Sequence, residues 1–231
     1  MPIGYDNWRP NQELVLDLQF REYLQVAAVR DWAKPYHDPC TLSGTPLFNL
    51  LGNDLSYLDF DPTNPDSIII LAADSGDLDF TTGDFSGAMW IAPDAYGNRY
   101  LYHKSGAGNG WAFWISSTSP YLAFTTEQAG PTYQSTMGGA GLALSAWQFI
   151  GFTRDGATGR IYLNGVDATA TPATHVNPVS AAATNFTIGT TVGGGAGWYD
   201  GDMWRPRIWK RALAAWEMKA IFEAERDLFG V

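Results

Sequence analysis

The sequence predicts an all-β protein in which two antiparallel sheets stack as a sandwich, with one short helix near the C-terminus. Aromatic residues make up 14% of the 231 residues and charged residues only 16%, alongside 25 glycines. That composition suits strands and tight turns better than helices. Short apolar segments also recur about every ten residues between turn-forming clusters, as in sandwiches and barrels. Finally, one hairpin is apolar on both faces, so a second layer must cover it.

The hairpin at residues 147–165, WQFIGFTRDGATGRIYLNG, is the clearest element. Two runs rich in aromatic and β-branched residues flank the turn formers DGATG. Side chains alternate between the faces of a strand, and apolar ones fall on both sides of the first run. Asn164 and Gly165 close the second run and favour a type I′ turn, in which both residues have a positive φ. Residues 166–169 are expected to pair as a third strand.

The remaining strands are predicted from alternating or continuous apolar runs. They are residues 14–20, 41–42, 55–60, 67–71, 85–91, 99–104, 111–116, 121–126, 185–189 and 203–209. The alternation in the first of these predicts a half-buried strand. Residues 31–44, 74–84, 131–144, 170–183 and 192–201 are expected to be loops. Pro206 lacks a ladder donor, so we expect an edge position or a bulge in the last strand.

The predicted helix covers residues 215–226. An apolar stripe at helical spacing is expected to face the core; it consists of Trp216, Ala220, Ile221 and Ala224. Lys219 and Glu223 are expected to face solvent as an i,i+4 pair. Ala214 occupies the position before the helix, where a capping Ser would contribute about 1 kcal/mol.

The domain organisation follows from the polar N-terminus and the absence of a linker. Residues 1–13 are predicted to form an extended arm, and residues 14–231 one domain. Tyr5 and Trp8 are isolated aromatics in the arm. Two interpretations stand: the arm lies along its own sandwich, or these two residues anchor it on a neighbouring subunit.

The charge and the termini restrict the partners. The net charge of −10 argues against nucleic acid and anionic membranes, which attract a surplus of Lys and Arg. It is also compatible with plain solubility. Cys40 is the only cysteine, so no intrachain disulfide is expected. The first residues do not resemble a signal peptide, and no apolar run approaches about 18 residues. We therefore expect synthesis in a cytosol and no membrane span.

An ordered set of short motifs runs through most of the chain. It comprises Leu58-Asp59-Phe60, Leu78-Asp79-Phe80, Asp84-Phe85-Ser86, Trp90-Ile91, Trp147, Asp155-Gly156, Gly159, Tyr162, Asn164-Gly165, Ile188-Gly189, Gly201 and Arg211-Ala212-Leu213. This set resembles the laminin-G-like branch of the concanavalin A-like lectin/glucanase family. The resemblance implies two curved antiparallel sheets in a jelly roll, with a small C-terminal helix.

Metal binding is not predicted, although calcium is kept as an alternative. Four aspartates could offer the oxygen ligands that Ca²⁺ prefers, namely Asp74, Asp77, Asp79 and Asp84. They lack the regular spacing of a calcium loop. In the family that this sequence resembles, the last strand carries an acidic residue at the position of Trp204. This chain therefore lacks one carboxylate on which a calcium site could depend. No other cofactor is expected.

Catalysis is not predicted either. A retaining glycosidase needs two carboxyl groups about 5 Å apart, and the related glucanases place them on one strand. Here the i,i+2 aspartate pairs lie at turns or strand ends; they are Asp59/Asp61, Asp77/Asp79 and Asp200/Asp202. His37, His103 and His175 are scattered, with no triad or zinc spacing. We therefore expect a protein that is not an enzyme.

Aromatic residues in or beside Gly-rich loops are the candidate ligand contacts. They are Trp111, Trp114, Tyr133, Trp198 and Tyr199. Flat sugar faces stack on such rings while polar groups fix the orientation. The alternative is that these rings fill the core or subunit contacts.

The resulting functional hypothesis is a non-catalytic interaction protein. We expect a virion surface protein of a bacterial virus, serving in capsid decoration or tail attachment, that forms homo-oligomers and contacts other subunits of the particle. The alternatives are a stand-alone carbohydrate-binding module and a glycoside hydrolase. Fold analogy does not settle the choice between them.

Overall fold

The computed structural model describes residues 11–21, 27–117, 121–137 and 141–231. Within these ranges the chain forms seventeen strands and one α-helix, α1 (Ala215–Glu225). The strands are β1 (Leu14–Asp17), β2 (Ala28–Val29), β3 (Cys40–Ser43), β4 (Leu47–Leu50), β5 (Ser56–Phe60), β6 (Ser67–Ile70), β7 (Phe85–Pro93), β8 (Arg99–Gly106), β9 (Asn109–Ile115), β10 (Leu122–Gln128), β11 (Thr132–Met137), β12 (Gln148–Asp155), β13 (Thr158–Leu163), β14 (Val166–Asp167), β15 (Thr169–Thr171), β16 (Phe186–Ile188) and β17 (Gly201–Trp209). None of the helices in this part of the chain has the length and hydrophobicity needed to cross a membrane. Most of the predicted arm, including Tyr5 and Trp8, lies outside the described residues.

The strands form two stacked antiparallel sheets, as predicted for a jelly-roll β-sandwich. Sheet I has the order β14-β13-β12-β7-β17-β5-β4, and β1 pairs with β17. Sheet II has the order β15-β11-β10-β9-β8-β16-β6-β3-β2. Consecutive strands pair in the runs β8-β9-β10-β11 and β12-β13-β14, whereas β7 pairs with the distant strands β12 and β17. Each sheet therefore combines a short meander with long-range pairings.

The core between the sheets is aromatic. Phe124 of sheet II stacks on Phe152 of sheet I with ring centroids 4.5 Å apart, and Phe85 meets both rings edge-on. Trp111 is fully buried beside them, and its Nε1 donates to the Leu78 carbonyl at 2.9 Å. Burying each large apolar side chain contributes about 1.5–3 kcal/mol, so these rings are a main source of stability.

The β12–β13 hairpin forms as predicted. β12 pairs with β13 from Ile150↔Leu163 to Asp155↔Thr158, and with β7 on its other side. Asn164 and Gly165 have φ values of 49° and 75°, as a type I′ turn requires. All of β12 except its last residue is buried, which confirms that the strand is covered on both faces.

Helix α1 covers the outer face of sheet I, but with a different side from the one predicted. Met218, Ile221 and Phe222 are buried, whereas Trp216 is 52% exposed. Phe222 stacks on Trp90 of β7 with centroids 5.8 Å apart, and this contact sets the rotation of the helix. The predicted stripe was therefore wrong for Trp216 and also for Ala224, which is exposed.

Two other features of α1 follow the sequence more closely. Lys219 and Glu223 are exposed, as predicted. The missing N-cap side chain at Ala214 is offset by Glu217, whose Oε2 accepts the Ala214 N–H at 3.0 Å. This is the reciprocal half of a capping box, supplied from the third helical position.

Three strand predictions need correction. Residues 131–144, expected to be irregular, contain β11, which extends sheet II beside β10. Residues 47–50 form β4 at the edge of sheet I, a strand that the sequence did not indicate. β1 is fully buried instead of half-buried, because it pairs with β17 and its Asp17 is held by Arg205 at 3.0 Å.

The prediction of a bulge at Pro206 is confirmed. The register of β17 against β7 shifts between Trp204 and Arg207, and Arg205 has a left-handed φ of 51°. The extra residue turns Arg205 and Arg207 towards the same helix residue, Glu225, at 2.9 and 2.8 Å. β17 lies inside sheet I, between β5 and β7, where a proline is tolerated only at such a bulge.

Candidate functional site

The outer face of sheet II carries a row of side chains centred on Trp114. In the register of the sheet, Trp114 of β9 pairs with Tyr100 of β8 and with Ala123 of β10, which pairs with Thr136 of β11. Paired residues of antiparallel strands share a face. The rings of Tyr100 and Trp114 stack with centroids 5.8 Å apart and an interplanar angle of 21°, and both are partly exposed. We call this pair the Tyr100–Trp114 platform.

The residues around the platform are short or polar. Ala112 and Ala123 are its neighbours along and across the sheet, and they are too short to cover an indole ring. The indole Nε1 of Trp114 donates to Thr125 Oγ1 at 3.2 Å, which fixes the orientation of the ring. Gln134 of β11 pairs with Thr125 of β10. Its amide group therefore lies on the same face of sheet II, one strand beyond Thr125.

The loop before β17 borders the platform. The Gly197 carbonyl accepts the Tyr100 N–H at 2.9 Å, and the Trp198 carbonyl accepts Arg99 Nη1 at 2.8 Å. A Cβ added at Gly197, which has a φ of 68°, would lie 2.5 Å from the Tyr100 ring. Glycine therefore allows the loop to sit directly against the ring. Trp198 is partly exposed, and its indole Nε1 has no hydrogen-bond partner.

The structure brings only part of the predicted aromatic set together. Trp114 lies on the platform, and Trp198 lies in the loop beside it. Tyr133 pairs with Thr126, three positions from the partner of Trp114, so it belongs to the opposite face of the sheet. Tyr100 was missed, because the sequence does not indicate the register of the β8–β9 hairpin, which shifts between Tyr100 and Tyr102.

The prediction that Trp111 and Tyr199 contact a ligand needs correction. Both side chains are fully buried. The Tyr199 hydroxyl donates to the Asp202 carbonyl at 2.9 Å, and its ring packs edge-on against Phe60 with centroids 5.9 Å apart. A ring without an exposed face cannot stack on a sugar, so these two residues serve the core. Their position beside glycines did not reveal this.

Sheet I brings together two carboxylates that sequence spacing did not connect. Asp59 of β5 lies directly opposite Asp202 of β17. Burial, together with the charges of Asp59 and Asp94, raises the pKa of Asp202 to about 7. Directly opposed side chains have Cβ atoms about 5 Å apart, so the two carboxyl groups are neighbours on one face, and glycosidases also act with a pair of neighbouring carboxyl groups. An acid with a raised pKa beside a second carboxylate is able to deliver a proton near neutral pH.

A buried histidine joins two aspartates that belong to separate loops. His37 Nδ1 lies 2.6 Å from Asp31 Oδ2, and His37 Nε2 lies 2.7 Å from Asp77 Oδ1. Burial alone lowers the pKa of His37, but the hydrogen bonds with the two carboxylates outweigh it and raise the pKa to about 9. Both ring nitrogens are occupied, so this imidazolium cannot take a proton from a nucleophile. The cluster clamps two loops together.

Three of the four aspartates considered for calcium, all except Asp74, have separate uses. Asp77 binds His37, Asp79 accepts the Ala181 N–H at 2.8 Å, and Asp84 accepts the Gly156 N–H at 2.7 Å. Within the described ranges, no group of three or more His, Cys, Asp or Glu residues is placed to hold a metal ion.

Comparison with known protein families identifies the class of protein. A family model of the laminin-G type, described as the concanavalin A-like lectin/glucanases superfamily, matches residues 70–219. This match covers β7 to β17 and the start of α1, including the platform. The chain therefore belongs to the concanavalin A-like lectin/glucanase superfamily. A search of the curated proteins found no match.

Solved structures with the same fold include receptor-binding domains of botulinum neurotoxins. The binding domain of botulinum neurotoxin DC, in complex with rat synaptotagmin II, has a TM-score of 0.65 at 14% identity and covers 93% of this chain and 52% of that one. A type C neurotoxin whose cell entry depends on two ganglioside molecules has a TM-score of 0.64 at 15% identity, with 93% and 51% covered. The type G receptor-binding domain has a TM-score of 0.64 at 14% identity, with 92% and 51% covered. The chain spans about half the length of these solved chains, and at these identities the likeness concerns the fold.

Proposed function

We propose that this protein is a non-catalytic, lectin-like binding protein that holds glycans on the Tyr100–Trp114 platform. The observation that carries the proposal is the stacked, partly exposed pair of rings on the outer face of sheet II. A sugar ring buries its apolar C–H face against such a surface, while polar groups at the rim fix its orientation.

The polar groups needed for orientation lie around the platform. Thr125 Oγ1 already anchors the Trp114 indole, and Gln134 and Thr136 are polar positions on the neighbouring strand β11. Trp198, partly exposed in the loop beside the platform, adds a further ring at its border.

A glycan array tests the proposal. We expect the purified full chain to bind at least one saccharide, and we expect Trp114→Ala to abolish that signal. The matched control is Trp216→Ala, because Trp216 is 52% exposed on α1 at the outer face of the other sheet. No signal from the wild-type chain, or an equal loss in both variants, would contradict the proposal.

The finer proposal is that binding serves attachment of a bacterial virus, with the protein on the virion surface as a homo-oligomer. It is supported by the cysteine content, since the single cysteine of the sequence, Cys40, is buried, and a chain that needs no disulfide suits assembly in a reducing compartment. Sedimentation of the full chain and of a variant lacking residues 1–13 tests it. We expect a defined oligomer that dissociates on deletion; a monomer in both samples would overturn it.

Hydrolysis of a glycan is the second candidate function, and the Asp59–Asp202 pair favours it. If the pair cuts a glycosidic bond, Asp202→Asn abolishes turnover of a bound saccharide while leaving its binding intact. If the wild-type protein releases no product from any glycan that it binds, the binding function stands alone.

A further inference from the structure

Arg154 is a buried cation whose charge is not paired. It lies on β12 and is only 3% exposed. Its Nη1 donates to the Gly83 carbonyl at 2.8 Å and its Nη2 to Asn177 Oδ1 at 2.7 Å, and both acceptors are neutral. Its Nε has no hydrogen-bond partner. The ion pairs formed among the described residues do not include Arg154.

This arrangement differs from the other strongly buried arginine. Arg207 is 1% exposed and makes two bonds of 2.8 Å to the carboxylate of Glu225. A buried charge without such a partner costs several kcal/mol. Burial accordingly lowers the pKa of Arg154, and the nearby charge of Asp84 opposes the shift only in part. An anion bound at Arg154 would therefore lower the cost of burying this charge, and none of the carboxylates in the described residues forms an ion pair with it.

A cleft opens at this guanidinium, with a volume of about 490 Å³. It lies at the end of the sandwich where the β12–β13 turn meets the loop after β15. Its lining consists of Gly83, Asp84, Arg154, Gly156, Ala157, Thr174, His175, Val176 and Asn177. That volume is large enough for one saccharide unit.

The other titratable residues of the cleft are already engaged. Asp84 Oδ1 accepts the Gly156 N–H at 2.7 Å, which ties this carboxylate to the turn. The two ring nitrogens of His175 contact the hydroxyls of Thr126 and Ser135 at 2.9 and 2.8 Å. Burial, with a contribution from Arg154, lowers the pKa of His175 to about 4, so the ring is neutral at pH 7. Arg154 is thus the cationic group of the cleft.

We propose that this cleft binds the carboxylate group of an acidic saccharide through Arg154. A guanidinium presents neighbouring N–H groups in a plane that matches the two oxygens of a carboxylate. The saccharide part of the proposal rests on the glycan-binding function proposed above. The proposal that a carboxylate binds there rests on the unpaired guanidinium of Arg154 and on the cleft that it lines.

Calorimetric titration of the full chain tests the proposal with three probes: glucuronate, glucose and inorganic sulfate. We expect glucuronate to bind about ten-fold more tightly than glucose, since a charge-assisted bidentate pair contributes at least that much. Asn177→Asp places a carboxylate on the acceptor that already contacts Arg154, so it should weaken glucuronate binding about ten-fold while raising the melting temperature. Gln12→Glu adds the same charge at an exposed position outside the cleft and should change neither quantity.

Asp84→Asn is the complementary variant, because the amide oxygen can still accept the Gly156 N–H while the negative charge is removed. It should tighten glucuronate binding. Absence of glucuronate binding, or equal binding by wild type and Asn177→Asp, would overturn the proposal. Equal affinity for sulfate and glucuronate would overturn its saccharide part. Trp114→Ala separates the two sites: loss of binding in that variant alone leaves the platform standing and refutes the cleft.

Discussion

His37 Nε2 lies 2.7 Å from Asp77 Oδ1, and this contact joins two loops that are 40 residues apart in sequence. The Tyr36 hydroxyl donates to the other oxygen of Asp77 at 2.5 Å. On its other side, His37 holds Asp31, whose Oδ1 accepts the Asp17 N–H of β1 at 2.9 Å. The cluster therefore connects β1, the loop before β3 and the acidic loop before β7.

Replacing His37 should destabilise the protein in a pH-dependent manner. The folded-state pKa of about 9 lies above the unfolded value of about 6.5, so the stabilisation is fully present below pH 6.5. It is lost as the pH rises through 9. We expect His37→Gln to lower the free energy of unfolding by about 3 kcal/mol at pH 6, and by much less at pH 10. Urea denaturation at the two pH values measures this.

His175 provides the control of opposite sign. Its folded-state pKa of about 4 lies below the unfolded value, so its contribution is present above pH 6.5 and is lost as the pH falls through 4. An effect of His37→Gln that grows towards pH 10 would contradict the assignment of a buried imidazolium.

The ionised form of Asp202 should destabilise the folded protein above pH 7. Its folded-state pKa is raised to about 7 by burial and by Asp59 and Asp94. The neutral form fits the fold, and the stability linked to it is lost as the pH rises through 7. We expect Asp202→Asn to raise the free energy of unfolding by about 1–2 kcal/mol at pH 8, after allowance for screening by solvent. At pH 3.5 the gain should vanish. Asp227→Asn, at an exposed position, is the control and should change the free energy of unfolding at pH 8 by no more than about 0.5 kcal/mol.

Glu225 should be the most sensitive residue of helix α1. Its carboxylate accepts bonds from Arg205 and Arg207, and from Trp90 Nε1 at 2.9 Å. Glu225→Gln leaves the buried Arg207 without its carboxylate and leaves Arg205 with Asp17 alone, so we expect a loss of about 3 kcal/mol of stability. Thermal denaturation measures it.

Glu223 offers a matched control on the same helix. Its contact with Arg226 is exposed and 3.6 Å long, and such pairs contribute about 0.5 kcal/mol or less. A loss for Glu223→Gln equal to that for Glu225→Gln would contradict the central role of the buried cluster.

Gly159 should not tolerate a methyl group. An added Cβ would overlap the His175 ring and lie 2.9 Å from Ser135 Oγ. We expect Gly159→Ala to cost about 1–3 kcal/mol through overpacking. Gly195→Ala is the control, because nothing lies within 4 Å of a Cβ there. Equal melting temperatures for the two variants would contradict the expected overpacking of Gly159 against His175 and Ser135.

The sequence predicted the fold well where the signals are local. The type I′ turn at Asn164-Gly165 depends on two adjacent residues, and the doubly buried β12 depends on the apolar residues of one segment. β11 was missed because its run, TYQSTM, is polar and Gly-flanked. It becomes a strand because β10 offers it a free edge. Such tertiary pairing overrides weak local propensity.

The candidate sites were harder to predict because they depend on register and burial. Asp59 meets Asp202 only through the pairing of β5 with β17, which are distant in sequence. Tyr100 meets Trp114 across the β8–β9 hairpin, but the register shift between Tyr100 and Tyr102 that places them on one face is not visible in the sequence. Trp111 and Tyr199 lie beside glycines as Trp198 does, yet both point into the core. Sequence spacing distinguishes faces within a strand, but it does not tell which face another sheet covers. His37 has no local partner that would indicate a buried ion triad.

The central claim is that ligands bind on the outer face of sheet II, and NMR chemical-shift mapping with a saccharide selected from the array tests it most directly. We predict that the largest amide shifts fall on β8, β9 and β10, around Tyr100, Trp114 and Thr125, and that Trp114→Ala removes them. Shifts confined to sheet I and helix α1, or shifts on sheet II that persist in Trp114→Ala, would contradict the claim.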